Sequence, residues 1–402
     1  MLTQCRSWLI PGLLVMCGAA PTWAQSNDTL TLKAESSLRF DNNLFRLPAN
    51  TNTEALIGQP SAAERINISS LSLNFSTTLS LQKLELAVNL TNYRYQNFSY
   101  LSFVAHNYNA AWRWALTPQL HGNLESQRQQ TLNNFADYRG FNVQNLRTNS
   151  NTRVDTAYQL DGTWGVLAGV SQSTQTNQQT LTAESDYSDK STNLGLLYTL
   201  ASGSALTYTH RNTSGSYPNN QLPSAGLYDD GFKQLDNELR LHWTVTGKST
   251  ADLSAARISR SHPHYPQRDY SGLNAGVNYN WSLTGKSALA ASWVRELSSY
   301  QTNSSNYSQT DRVSLAPVWQ LSPKAVVRLR YEVARSDYLG SPMGALGPQR
   351  SDSTSDASLS LIWQAHKHLT LSTSLENTSR NSNLAGLDYE SKMATVSAQF
   401  SY

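Results

Sequence analysis

Arg328, Arg330 and Glu332 alternate with Val327, Leu329, Tyr331 and Val333 in the stretch VVRLRYEV. Two guanidinium groups and a carboxylate at that spacing could grip an anion or a sugar hydroxyl, or could pair with one another. Ionisable residues fall at alternate positions elsewhere too: Arg113, Arg153, Arg240 and Arg312, with Glu125, Asp155, Glu238, Asp252 and Glu376 as their acidic counterparts. His121 and His242 share that parity. Arginines and carboxylates balance, so the set predicts a mixed wall able to form charge ladders or to contact a polar solute. Each residue favours the ladder as its role.

Other chemistry finds less support. The closest of the eight histidines, His262-Pro263-His264 and His366-Lys367-His368, have no nearby cysteine or carboxylate cluster in sequence, and a metal site needs three or four ligands. No metal or cofactor is expected. A hydrolase would need serine, histidine and an orienting group at one height on neighbouring elements, and serines are too common here to mark one. The reading is therefore not of an enzyme. A net charge of +3 gives no field for nucleic acid.

The elements that position these residues follow from the alternation. A helix would spread the charges around its circumference, whereas a strand sends successive side chains to opposite faces. In LNAGVNYNWSL, Leu273, Ala275, Val277, Tyr279, Trp281 and Leu283 share one parity against Asn274, Gly276, Asn278, Asn280 and Ser282. Leu239 to Val245 and Ala357 to Trp363 repeat it. Aromatic residues that precede tight turns, Trp114, Tyr158, Tyr198, Trp243, Trp281, Trp319 and Trp363, are separated by 44, 40, 45, 38, 38 and 44 residues. That period fits a propeller blade or a pair of long strands, and the length of the alternation decides for strands that span a membrane.

The amino terminus agrees. Arg6, the apolar stretch from Trp8 to Ala20 broken by Pro11 and Gly12, and Thr22-Trp23-Ala24 read as a cleavable signal over residues 1–24. Cys5 and Cys17 lie within it, so the exported chain is expected to carry no thiol, and Met16 argues against a lipoprotein box at Cys17. Residues 25–402 then form one domain: an all-β, closed antiparallel outer-membrane barrel of about 18 strands, with 16 as the alternative. Short periplasmic turns are expected at 284–286 and 322–324, and longer extracellular loops around 218–226 and 340–347. A strand is expected near 30–40, another near 66–79, the first tight turn within 77–86, and a bulge or strand end between Leu253 and Ile258.

In this barrel the apolar parity meets outer-membrane lipid and the charged parity lines the lumen. The tryptophans form the periplasmic girdle. Tyr187, Tyr217, Tyr270, Tyr300, Tyr338 and Tyr389 are placed at the outer girdle, and Tyr93 and Tyr95 either there or facing sugar in the lumen. The closing strand, with Ala394, Val396, Ala398, Phe400 and Tyr402 on the lipid parity, resembles the signal read by barrel assembly machinery.

Four segments, SLRFDNNLFRLP (37–48), LTNYRYQNFSYLSF (90–103), NYNAAWRWALTPQLHG (107–122) and NNFADYRGF (133–141), resemble the EpsL-type outer-membrane proteins of exosortase and PEP-CTERM-associated exopolysaccharide biosynthesis in Gram-negative bacteria. The resemblance is densest up to about residue 220. It implies partners in exopolysaccharide export and supplies no site residues. Three functions stay open: a polysaccharide conduit or accessory barrel, a general porin for small solutes, and a barrel enzyme or adhesin acting through its loops.

Overall fold

The computed structural model describes residues 30–138, 140–179, 185–220, 228–302, 304–341 and 348–402. The expected signal segment lies outside them, as do residues 221–226 and 342–347 of the two expected outer loops.

The strands are β1 (Leu30–Asp41), β2 (Glu64–Leu79), β3 (Gln82–Tyr95), β4 (Phe103–Ala115), β5 (Leu120–Leu132), β6 (Leu146–Gln159), β7 (Trp164–Asn177), β8 (Tyr187–Thr199) and β9 (Ala205–Ser216). They continue as β10 (Gly231–Thr246), β11 (Ser249–Ser261), β12 (Tyr270–Ser282), β13 (Ser287–Ser299), β14 (Tyr307–Ser322), β15 (Ala325–Leu339), β16 (Ser351–His366), β17 (Leu369–Ser382) and β18 (Tyr389–Ser401). Each pairs antiparallel with its sequence neighbour, and β1 closes on β18 from Lys33↔Ser401 to Asp41↔Met393, giving an 18-stranded ring. Main-chain bonds of 2.8 and 2.9 Å between Leu32 and Tyr402 tie the seam. Closure leaves no sheet edge unpaired, which is what a strand protein in lipid requires.

Short and long connections alternate, so the barrel has a short-turn end and a long-loop end. The first tight turn is Ser80-Leu81, with Ser80 at φ 56°. The apolar parity faces outward: Leu239 and Trp243 on β10, Leu329, Tyr331 and Val333 on β15, and Leu359, Leu361 and Trp363 on β16 are all exposed. Exposed side chains of this kind on every strand but β11, whose outward face carries the half-buried Leu253 and the exposed Ala255, make an apolar belt. Trp243, Trp281, Trp319 and Trp363 ring its short-turn side.

The expected interruption between Leu253 and Ile258 is absent: β11 pairs with β10 and β12 without a break, and register shifts fall instead beside tight turns, at Thr244/Thr246, Gln320/Ser322 and Gln364/His366. The parity of Ile258 is that of the lumen. It is apolar because it packs with Tyr270 and Leu297, a small cluster near the long-loop end.

The two ends should label differently. Gly285→Cys, at a tight turn with open space around the glycine, and Ala385→Cys, between β17 and β18, are the probes. An impermeant maleimide on intact cells is expected to modify Cys at 385 and to miss Cys at 285; the opposite pattern would invert the barrel.

Candidate channel wall and mouth

The lumen-facing charges form short relays between neighbouring strands. Lys83 Nζ lies 2.6 Å from Glu85 Oε1, Arg113 Nε donates to Glu85 Oε2 at 2.8 Å, and Arg113 Nη1 lies 3.7 Å from Glu125 Oε1. Arg153 pairs with Asp155 along β6. On β10 and β11, Arg240 Nη2 is 2.8 Å from Glu238 Oε1 and His242 Nδ1 is 2.7 Å from Asp252 Oδ1. Glu332 holds two arginines, Arg312 at 2.9 Å and Arg330 at 2.5 Å. Glu376 turns inward beside Thr378, which donates to it at 3.4 Å. Arg328 is inward and exposed, and has no carboxylate partner among the described residues.

Water-facing pairs of this kind contribute about 0–1 kcal/mol each, so the wall can exchange partners with a passing solute at little cost. His242 and Asp252 are two parts of a nucleophile-activating set; among the described residues no serine hydroxyl bonds the imidazole. His121 is also inward, opposite Ala115.

At the long-loop end the structure departs from a simple pore. Leu44, Phe45, Leu47, Ile57 and Ala62 from the β1–β2 connection, Phe98 and Leu101 from β3–β4, and Phe135, Tyr138 and Phe141 from β5–β6 form one buried apolar cluster. Phe45 is fully buried, its ring centroid 4.6 Å from Phe98, 4.7 Å from Phe135 and 5.7 Å from Phe141. The cluster packs on Ile66, Ile68, Tyr93 and Tyr95, all of lumen parity. Three loops therefore fold into the mouth. Polar clamps fix them: the buried Glu64 carboxylate accepts the main-chain N–H of Gln96, Asn97 and Phe98 at 3.1, 3.0 and 2.8 Å.

The β5–β6 loop also reaches strands on the far side of the seam. Asp137 Oδ1 accepts from Arg350 Nη2 and Arg380 Nη1, each at 2.9 Å, and Ala136 O accepts from Arg380 Nη2 at 2.6 Å. Arg350 is shared with Asp352 and with Tyr300 Oη at 3.0 Å, and its guanidinium lies 4.3 Å from the Tyr338 ring centroid. Arg380 lies 4.9 Å from that of Tyr389. Burial by itself raises the Asp137 carboxyl; Arg380 and Arg350 more than reverse this and hold it below the ordinary carboxylate range.

This arrangement corrects the expected outer girdle. Tyr270, Tyr300, Tyr338 and Tyr217 are buried, and Tyr187 and Tyr389 share the lumen parity, so these tyrosines line the inside of the mouth; Tyr270, Tyr300, Tyr338 and Tyr389 lie against arginines and Tyr217 against Phe232. Tyr93 and Tyr95 face the lumen beneath the Phe45 cluster. The histidine reading also changes: carboxylates do reach His264, but from the β9–β10 connection. His264 Nδ1 lies 3.1 Å from Asp229 and 3.2 Å from Asp230. Asp229 also accepts the main-chain N–H of His264 and Tyr265 at 2.7 and 3.0 Å, which makes the trio a clasp between two loops. Gly169, on the lumen parity of β7 opposite Asp155, is a close fit: a Cβ there would meet Asp155 and Asn193 at 2.5 and 2.7 Å.

No family model matches the chain, and no curated protein matches it in sequence. Solved structures do match. OpdK from Pseudomonas aeruginosa, determined with vanillate, superposes with a TM-score of 0.51 at 11% identity over 93% of this chain and 99% of its own. OccK2 (OpdF) from the same organism, determined with glucuronate, gives 0.52 at 10% identity over 93% and 98%. OccK9 (OpdG) gives 0.52 at 12% over 94% and 99%. The chain is an outer-membrane β-barrel. At such identities the likeness is one of fold, while the plugged mouth and the wall relays are properties of this sequence. Sequence reasoning missed the Asp137 network; its one local signal was the apolar residues inside polar loops, in NNLFRLP and NNFADYRGF.

Proposed function

We propose that the chain is a porin for small polar solutes whose outer mouth is narrowed by its own loops. The observation that carries this reading is the β5–β6 loop held across the mouth by Arg350 and Arg380 above a water-facing, charge-balanced wall. Eighteen strands enclose an aqueous lumen. A mouth constricted at one end selects by size, and a wall of weak pairs lets polar solutes slide without trapping them. Arg328 offers an unpaired guanidinium to small carboxylates, the class to which the vanillate and glucuronate of OpdK and OccK2 belong.

A second reading keeps a role in exopolysaccharide export. Three of the four EpsL-like segments, 37–48, 90–103 and 133–141, are the ones that meet in the mouth plug. In that reading the plug is a gate opened by the export machinery. One pair of measurements separates the two. In liposomes, the porin reading expects uptake of glucuronate and monosaccharides, with Arg328→Gln lowering the carboxylate flux by up to about fivefold, the scale of one charge in water. In a deletion strain it expects unchanged secreted polysaccharide. Loss of secretion with periplasmic polymer accumulating, and no small-solute flux, would replace it with the export reading.

A further inference from the structure

The outer surface carries an uncompensated cationic margin and, leading down from it, an apolar groove. Leu329, Leu359, Leu375, Ala394, Phe40 and Arg65 are successive cross-strand partners from β15 through β18 and β1 to β2. The row starts near the short-turn end of β15 and finishes one residue from the long-loop end of β2, so it climbs the wall obliquely. Along it lies a depression of about 780 Å³, lined by Ala357 and Ala394 between the leucines. Arg65 and Lys392 sit at its upper margin, and the Arg65 guanidinium lies 5.6 Å from the Phe40 ring centroid.

The charges on this face differ from those of the lumen. Inside, most arginines described above have an acid beside them. Outside, Arg65, Arg94, Lys190, Lys233 and Arg257 are exposed above the apolar belt, and none has a carboxylate partner among the described residues. The acids on the strands of this face are Asp311, Asp337 and Glu390, matched to Arg295, Arg335 and Lys392 at 2.8, 3.4 and 3.1 Å. Cations ringing a lipid-facing wall without internal partners take their counter-ions from the headgroup layer.

We propose that the depression binds a phosphorylated, multiply acylated glycolipid of the outer leaflet, with an acyl chain along Leu329, Leu359 and Leu375 and a phosphate between Arg65 and Lys392. Arg65 has no carboxylate partner among the described residues, and Lys392 exchanges its exposed 3.1 Å contact with Glu390 for the phosphate. Arg94, on β3 opposite Asn67 and one cross-strand step from Arg65, adds a third cation to the pair at the groove, which favours a headgroup with more than one phosphate over a phospholipid with one. The site is independent of what crosses the lumen.

Native mass spectrometry of the folded full-length protein tests it, with diphosphorylated hexa-acyl lipid A, its dephosphorylated form and phosphatidylglycerol as probes. The diphosphorylated form is expected to bind tightest. Arg65→Gln with Lys392→Gln should weaken it about tenfold or more, the scale of two basic side chains at an anionic lipid surface. Ala394→Phe, an apolar change on a lipid-facing position, should fill the groove and weaken all acylated probes. Heat-modifiable migration confirms that each variant is folded. Equal binding of the three probes, or wild-type binding of lipid A by both folded variants, would overturn the proposal.

Discussion

Replacing residues 134–141 by a short Gly-Ser linker is expected to raise single-channel conductance severalfold while the barrel still assembles. These residues supply Phe135, Tyr138 and Phe141 to the plug and Asp137 to the latch, and the wall beneath them is complete without them. Two point variants divide the effect. Phe45→Ala removes the ring at the centre of the cluster, a loss of about 3–5 kcal/mol in a packed core, and should loosen all three loops. Asp137→Asn keeps the shape but removes the charge shared by two arginines, and should free the β5–β6 loop alone. The pH dependence follows from the lowered carboxyl of Asp137: a carboxylate whose pKa falls on folding stabilises the latched state above its unfolded pKa and loses that contribution as pH falls through the folded value. Conductance in planar bilayers should therefore stay flat from about pH 7 to about pH 5 and rise only below roughly pH 4, under the ordinary carboxylate range. A rise centred near pH 6 would assign the gate to a histidine, and unchanged conductance after loop replacement would remove the gate.

Leu329→Arg is expected to abolish the folded, heat-modifiable barrel, whereas Arg328→Leu should assemble normally. The two positions are adjacent on β15 and face opposite solvents. Leu329 stands within the apolar belt beside Leu359, where an arginine costs about 2–4 kcal/mol near the bilayer midplane. Arg328 has no carboxylate partner among the described residues, so its removal orphans no buried charge. Arg330→Leu should be equally mild, since Glu332 keeps Arg312 at 2.9 Å. Equal assembly of the Leu329 and Arg328 variants in outer-membrane fractions would overturn the assignment of faces.

Much of this architecture was legible residue by residue. The period of two in VVRLRYEV and LNAGVNYNWSL set the wall's two faces, and Thr-Gly-Lys or Ser-Pro-Lys at regular intervals set the short turns, because side-chain alternation and turn geometry are local properties of the chain. Counting those signals pointed to about 18 strands with 16 as the alternative, and the ring has 18. Parity does not say how high on the wall a residue stands or what lies opposite it. Tyr270 and Tyr338 fall on the inward parity of β12 and β15, so alternation itself turns them into the lumen although their position in each hairpin pointed to a girdle; the arginines they meet there depend on register. Asp137 and Arg380 are 243 residues apart in sequence, and Asp229 and His264 are 35 apart; only closure of the ring and the folding of loops across it bring them together. The barrel was determined by the sequence through short-range alternation, whereas the plug, the latch and the oblique lipid-facing groove exist because tertiary structure set the register between strands and the packing of apolar loop residues into the mouth.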